Sequence, residues 1–183
     1  MRTVKLSGGR ALTSADLNRS GALPRDVMAS AEAIVDDVRD HGDAAVRSYC
    51  LKFDGTCPDA FRVPDDVVRG ALDMVDPGFL ASLRRAHDQI LDFHEREREQ
   101  SWFTTRPDGT ILGVKVTPVA SVAVYVPGGR AQYPSTVLMD TIPAKVAGVP
   151  RVIMVTPPQR DGSLSAYTLA AAAVAGVDEV YAV

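Results

Sequence analysis

The chain has 183 residues, 46% hydrophobic and 23% charged, a globular composition that excludes disordered and fibrous classes. Lys plus Arg number 20 against 23 Asp plus Glu, and the net charge of −3 leaves no basic footprint for nucleic acid. Two cysteines, Cys50 and Cys57, are too few for a disulfide scaffold. Met1 to Leu6 lack the apolar core of a signal peptide, and no apolar run reaches the ~20 residues a membrane helix needs. A cytoplasmic protein with no nucleic-acid or membrane partner is the expectation.

Residues 1–100 read as a mainly helical region. Pro24 ahead of Arg25-Asp26-Val27 marks a helix start, and Val27, Ala31, Ile34, Val35 and Val38 follow at helical spacing. His41-Gly42-Asp43 breaks that helix, because glycine readily takes the left-handed conformation. A second helix runs through Ala45, Val46, Tyr49 and Cys50 and ends near Phe53-Asp54-Gly55. Pro64-Asp65-Asp66 opens a third, with Val67, Val68 and Leu72 on one face. Pro77 starts the longest, with a stripe of Leu80, Leu83, Ile90, Leu91 and Phe93. The charged run Glu95 to Glu99 reads as its solvated end.

The period changes in residues 101–183. Trp102 to Thr105 and Ile111 to Val116 flank Pro107-Asp108-Gly109 and predict a β-hairpin, since Asp-Gly supplies the positive φ its turn requires. Val119 to Val126 predicts a buried strand, Ser135 to Gly148 a helix that Pro143 kinks or splits, and Arg151 to Thr156 a second strand. Leu164 to Ala175 predicts a second helix stopped by Gly176, and Glu179 to Val183 a third strand. Strands alternating with helices of this length pair in parallel through right-handed crossovers. The expected fold class is therefore α/β. N-terminal helices and a β-hairpin precede a βαβαβ parallel half-sheet, an incomplete Rossmann-like half-domain truncated at its third parallel strand. That third strand is expected to leave an unpaired apolar edge prone to self-association.

Most chemical constellations fail on spacing. His94-Glu95 begins the zinc-protease pattern HExxH, but Arg98 stands where the second histidine belongs. His87 and His94 could share a helix face, yet two imidazoles make a poor zinc site, and His41, His87 and His94 read as solvated. Cys50 and Cys57 lack CxxC spacing and read as ordinary thiols. The informative segment is Tyr125-Val126-Pro127-Gly128-Gly129, at the carboxyl end of the first parallel strand and ahead of a helix. Its glycines allow close backbone approach, and a helix N-terminus favours an anion. A phosphate or nucleotide loop and a plain tight turn both fit, because the GxGxxG fingerprint is incomplete. Tyr125 can stack on a nucleotide base or fill the core. Ser135-Thr136 can cap the following helix or touch a ligand.

From these residues onward the chain resembles the histidinol dehydrogenase family. The matching runs are Thr117 to Val122, Tyr125 to Gly129, Tyr133 to Met139, Ile142 to Val149, Val155 to Pro158 and Ala175 to Tyr181. Val35 to Arg39, His41 to Ala45 and Lys52 to Asp54 extend the likeness into the first half. The resemblance implies the N-terminal portion of a zinc- and NAD-dependent homodimer. Such an enzyme oxidises L-histidinol through L-histidinaldehyde to L-histidine, closing histidine biosynthesis. It assigns Tyr125 to NAD. It places the zinc ligands and the catalytic glutamate–histidine pair beyond the position matching Val183, so no catalytic or metal-binding residue is expected in this chain, which is expected to be inactive alone. The alternatives are a non-catalytic fragment or diverged nucleotide-binding module, and a related dehydrogenase of another small alcohol.

Overall fold

A computed structural model describes Gly8, Ala11 and residues 25–128, 131–159 and 161–183. The chain divides into two compact units, residues 1–46 and 47–183. In the first, helix α1 (Arg25–His41) ends at Gly42, whose φ of 56° lets its N–H donate to Val38 O at 2.8 Å. Asp43 then begins α2 (Asp43–Phe53), so the break falls at His41-Gly42-Asp43 as expected. Val27 and Val35 of the apolar stripe are exposed, and no residue of α1 is buried. Pro24 lies outside the described residues.

In the second unit α2 ends at Phe53 and the chain turns at Gly55, φ 75°. Next comes a strand that the sequence did not announce, β1 (Arg62–Val63). Pro64 then stands at the N-cap of α3 (Asp65–Met74). Val68 and Ala71 are buried on that helix, whereas Val67 points outward, one step off the face predicted for it. Helix α4 (Pro77–Glu95) starts with Asp76 as its cap, the carboxylate accepting from Phe79 N at 3.0 Å. Leu83 is buried and Phe93 is exposed, so the stripe is shorter than predicted. The helix also stops at Glu95, leaving Arg96 to Glu99 as turn and coil beyond it.

The hairpin forms as β2 (Trp102–Thr105) and β3 (Ile111–Val114), with Gly109 at φ 86°. Asp108 Oδ1 accepts from Thr110 N at 2.9 Å and fixes the turn. All eight strand residues are exposed. The remaining elements are β4 (Val122–Tyr125), α5 (Pro134–Val146), β5 (Val152–Thr156), α6 (Ala166–Ala175) and β6 (Glu179–Ala182). Helix α5 is not split at Pro143 as expected but continues through it to Val146. Ser165 caps α6 by accepting from Thr168 N, and Gly176 ends it in the left-handed region.

β4, β5 and β6 are parallel neighbours, with Val122 opposite Val152 and Ile153 opposite Glu179. The full sheet order is β1-β6-β5-β4. β1 pairs antiparallel with β6, and Phe61 O accepts from Ala182 N at 2.7 Å. The expectation of an unpaired edge at β6 is thus overturned: a two-residue strand from the helical half covers it. The prediction of a buried first strand also needs correction. β4 begins only at Val122, and of its residues only Val124 is buried, followed by Val126 just beyond the strand, while Val119 and Tyr125 are exposed. The core gathers Val126, Val137, Leu138, Ile142, Val152, Met154 and Val180, all fully buried. The alanines Ala170, Ala171 and Ala172 of α6 are also fully buried, and this helix packs on α3, α4 and α5. Phe79 of α4 meets Tyr167 of α6 edge to face at 4.8 Å.

Candidate functional site

The carboxyl ends of the parallel strands are where an open α/β sheet meets its ligand. β4 delivers Tyr125 there, because each following residue along a strand alternates sides: Val124 and Val126 point into the core and Tyr125 points out. Tyr125 is 63% exposed, which removes the core-filling role. Val126 N donates to Val155 O at 2.9 Å and holds the chain to β5 for one more step.

Gly128 then crosses Pro157, which follows β5. A Cβ at Gly128 would sit 3.0 Å from Pro157 O and 3.2 Å from its Cγ. The close approach expected at this glycine is therefore made to the protein's own backbone. Gly129 lies outside the described residues. Beneath Gly128, Thr156, Ser165 and Thr168 line a hollow of about 20 Å³, room for a single water. The hollow is far too small to enclose a dinucleotide.

Helix α5 begins at the same end. Tyr133 holds its N-cap position with no side-chain cap, and Pro134 fills the first helical position. Ser135 and Thr136 sit inside the first turn, so the capping role considered for them falls to neither. Its first turn presents positive dipole ends, which suit an anionic group. In the loop between β5 and α6, Asp161 Oδ1 accepts from Ser163 Oγ at 2.7 Å and Ser163 N at 3.0 Å, and these bonds hold its carboxyl below the usual range.

The strong ion pairs lie at the opposite, amino end of the strands. Asp178 Oδ2 accepts from Lys145 Nζ and from Val152 N, both at 2.6 Å. Burial pushes this carboxyl up, but the two hydrogen bonds outweigh it and hold it low. Arg151 grips Glu179 at 2.8 and 3.0 Å, and Tyr181 Oη donates to Glu179 at 2.8 Å. A cleft of about 320 Å³ also opens at this end, lined by His94, Glu97, Thr117 and Pro143. His94 is less solvated than the sequence suggests: Nδ1 lies 2.6 Å from Glu97 and its ring meets Phe93 edge to face. His41 pairs with Asp37 and His87 with Asp88. Among the described residues no three His, Cys, Asp or Glu side chains stand together as a metal site. Sequence spacing also missed a cluster of Arg47, Cys50 and Cys57, since a loop closure joins the two cysteines and no local motif marks it.

The fold is that of an α/β protein whose parallel strands bring Tyr125 and Gly128 to their carboxyl ends. A family model for histidinol dehydrogenase matches residues 17–183. A histidinol dehydrogenase from Geobacillus kaustophilus is 48% identical over 150 residues, covering 82% of this chain and 35% of the relative. One from Bacillus subtilis is 44% identical over 182 residues, covering 99% of this chain and 42% of the relative. The crystal structure of histidinol dehydrogenase from Elizabethkingia anophelis superimposes with a TM-score of 0.81 at 27% identity, over 90% of this chain and 38% of that one. The chain belongs to the histidinol dehydrogenase family. It spans about two fifths of the length of these relatives.

Proposed function

We propose that this chain supplies the N-terminal part of an NAD-dependent oxidation of L-histidinol through L-histidinaldehyde to L-histidine, in a cytoplasmic homodimer. Membership of the family supports the reaction class. The observation that carries the site is Tyr125, aromatic and exposed at the carboxyl end of β4, the strand that leads into α5. NAD, when bound, accepts the hydride. In this reading the Tyr125 ring packs on the cofactor, Gly128 keeps the loop flat against Pro157, and the start of α5 faces the pyrophosphate. The zinc that the resemblance implies finds no ligand cluster among the described residues, so no step is assigned to it in this chain. Proton transfer and substrate binding fall to residues matching the remainder of the longer relatives.

The test joins this chain to the part of the Bacillus subtilis relative that it does not match. The chimera is expected to form NADH from histidinol, and the chain alone is not. In the chimera Tyr125→Ala is expected to weaken NAD binding by about 1–3 kcal/mol, the worth of an aromatic stack on a base. Tyr125→Phe separates ring from hydroxyl, costing about 0.5–1.5 kcal/mol only if the hydroxyl bonds the cofactor. An unchanged KM for NAD in Tyr125→Ala, with a lowered unfolding midpoint, removes the assignment.

A further inference from the structure

Arg47 and Cys50 lie three residues apart on α2, so their side chains leave the helix on one face. The loop that turns at Gly55 is clamped to that face by Arg47. Its Nη1 donates to Pro58 O at 2.9 Å and to Cys57 Sγ at 3.6 Å, and its Nη2 donates to Asp59 O at 2.8 Å. The guanidinium also lies over the Phe61 ring, 4.6 Å from its centre. The clamp therefore seats Cys57 beside Cys50. Burial raises the Cys50 thiol above its ordinary range, and the neighbouring Cys57 and Asp54 raise it further. The two sulfurs differ in access: Cys50 is 3% exposed, while Cys57 is half-buried.

We propose that Cys50 and Cys57 form a reversible thiol–disulfide switch whose co-substrate is a low-molecular-weight disulfide of the glutathione type. The Cys57 thiol loses its proton and attacks the small disulfide, forming a mixed disulfide and releasing one small thiol. Cys50 then loses its proton and attacks the Cys57 sulfur, expelling the second small thiol and closing the Cys50–Cys57 bond. Two protein thiols are oxidised and one small disulfide is reduced to two thiols, so electrons and protons balance. Access sets the order, since the buried sulfur cannot meet the reagent first. The closed bond would fasten α2 to the segment that feeds β1, and through Phe61 O to the inner strand β6.

The test equilibrates the 183-residue protein in reduced and oxidised glutathione, in buffer and in concentrated urea, and quenches with acid. Trypsin cuts after Lys52, so the closed bond joins the peptide 48–52 to the peptide 53–62. Both thiols are expected to vanish together, the joined peptides to appear, and closure to be about tenfold or more favoured in the folded protein over the urea state. Cys50→Ser is expected to trap glutathione on Cys57, and Cys57→Ser to leave Cys50 unmodified. Arg47→Ala keeps both thiols and is expected to erase the folded-state preference. The proposal is overturned if a stable mixed disulfide persists on Cys57 in the unsubstituted protein. It is equally overturned if closure is no more favourable folded than in urea, a comparison that needs no variant to fold.

Discussion

Thr141 is fully buried in α5, and its hydroxyl finds no hydrogen-bond partner among the described residues. A buried unpartnered polar group costs about 1–3 kcal/mol. Thr141→Val keeps the shape and removes that cost, so it is expected to stabilise the protein by about 1 kcal/mol in urea unfolding; a loss of stability would mean the hydroxyl is satisfied. No signal in the sequence marks this threonine, because its helix neighbours are apolar on several sides. The place of Tyr125 at the carboxyl end of β4 was legible but its exposure was not, since Val119 to Val126 reads as uniformly apolar and strand alternation decides between core and surface only once Val124 and Val126 are known to be inside. The reason for Gly128 was not legible: the atom it makes room for, Pro157 O, lies 29 residues further along the chain.

At the scale of elements, helices and hairpin followed from period and turn residues, because Pro, Gly and Asp act locally. β1 escaped that reading, since two residues carry no period and their pairing partner is β6, more than a hundred positions away. The start of β4 escaped it too. Val119 is apolar like its neighbours, but the ladder begins only where Val122 meets Val152. Burial separates elements that look equally apolar in sequence. Leu138 of α5 is 1% exposed and Leu112 of β3 is 42% exposed. Leu138→Ala is expected to cost about 2–5 kcal/mol, and Leu112→Ala to stay within about 0.5 kcal/mol. Equal losses in denaturant titrations would show that the hairpin belongs to the cooperative core.

For the whole molecule, the amino end of the sheet is tied by charge across strands far apart in the chain. Arg151 precedes β5 and holds Glu179, the first residue of β6, whose carboxyl is pulled down to about 2 by that bond and by the Tyr181 hydroxyl. The folded value lies below the ordinary 4.5, so the pair's contribution is present above that pH and is lost as pH falls through about 2. The unfolding midpoint of the unsubstituted protein is expected to drop more steeply between about pH 5 and pH 2 than that of Glu179→Gln. Parallel curves would show that the pair adds nothing. None of this was legible, because a salt bridge 28 residues apart depends on strand register. The sheet order was legible only for its parallel part.

The exposed hairpin also sets what light can report. Trp102 is the chain's only tryptophan, and it sits on β2, 56% exposed, on a ribbon whose strand residues are all open to solvent. Its emission is expected to be that of a wet indole already in the folded state. Fluorescence will therefore barely register the collapse or loss of the core around Met154, and circular dichroism is the observable for that event. Any blue shift at Trp102 will instead signal that something has come to cover the hairpin.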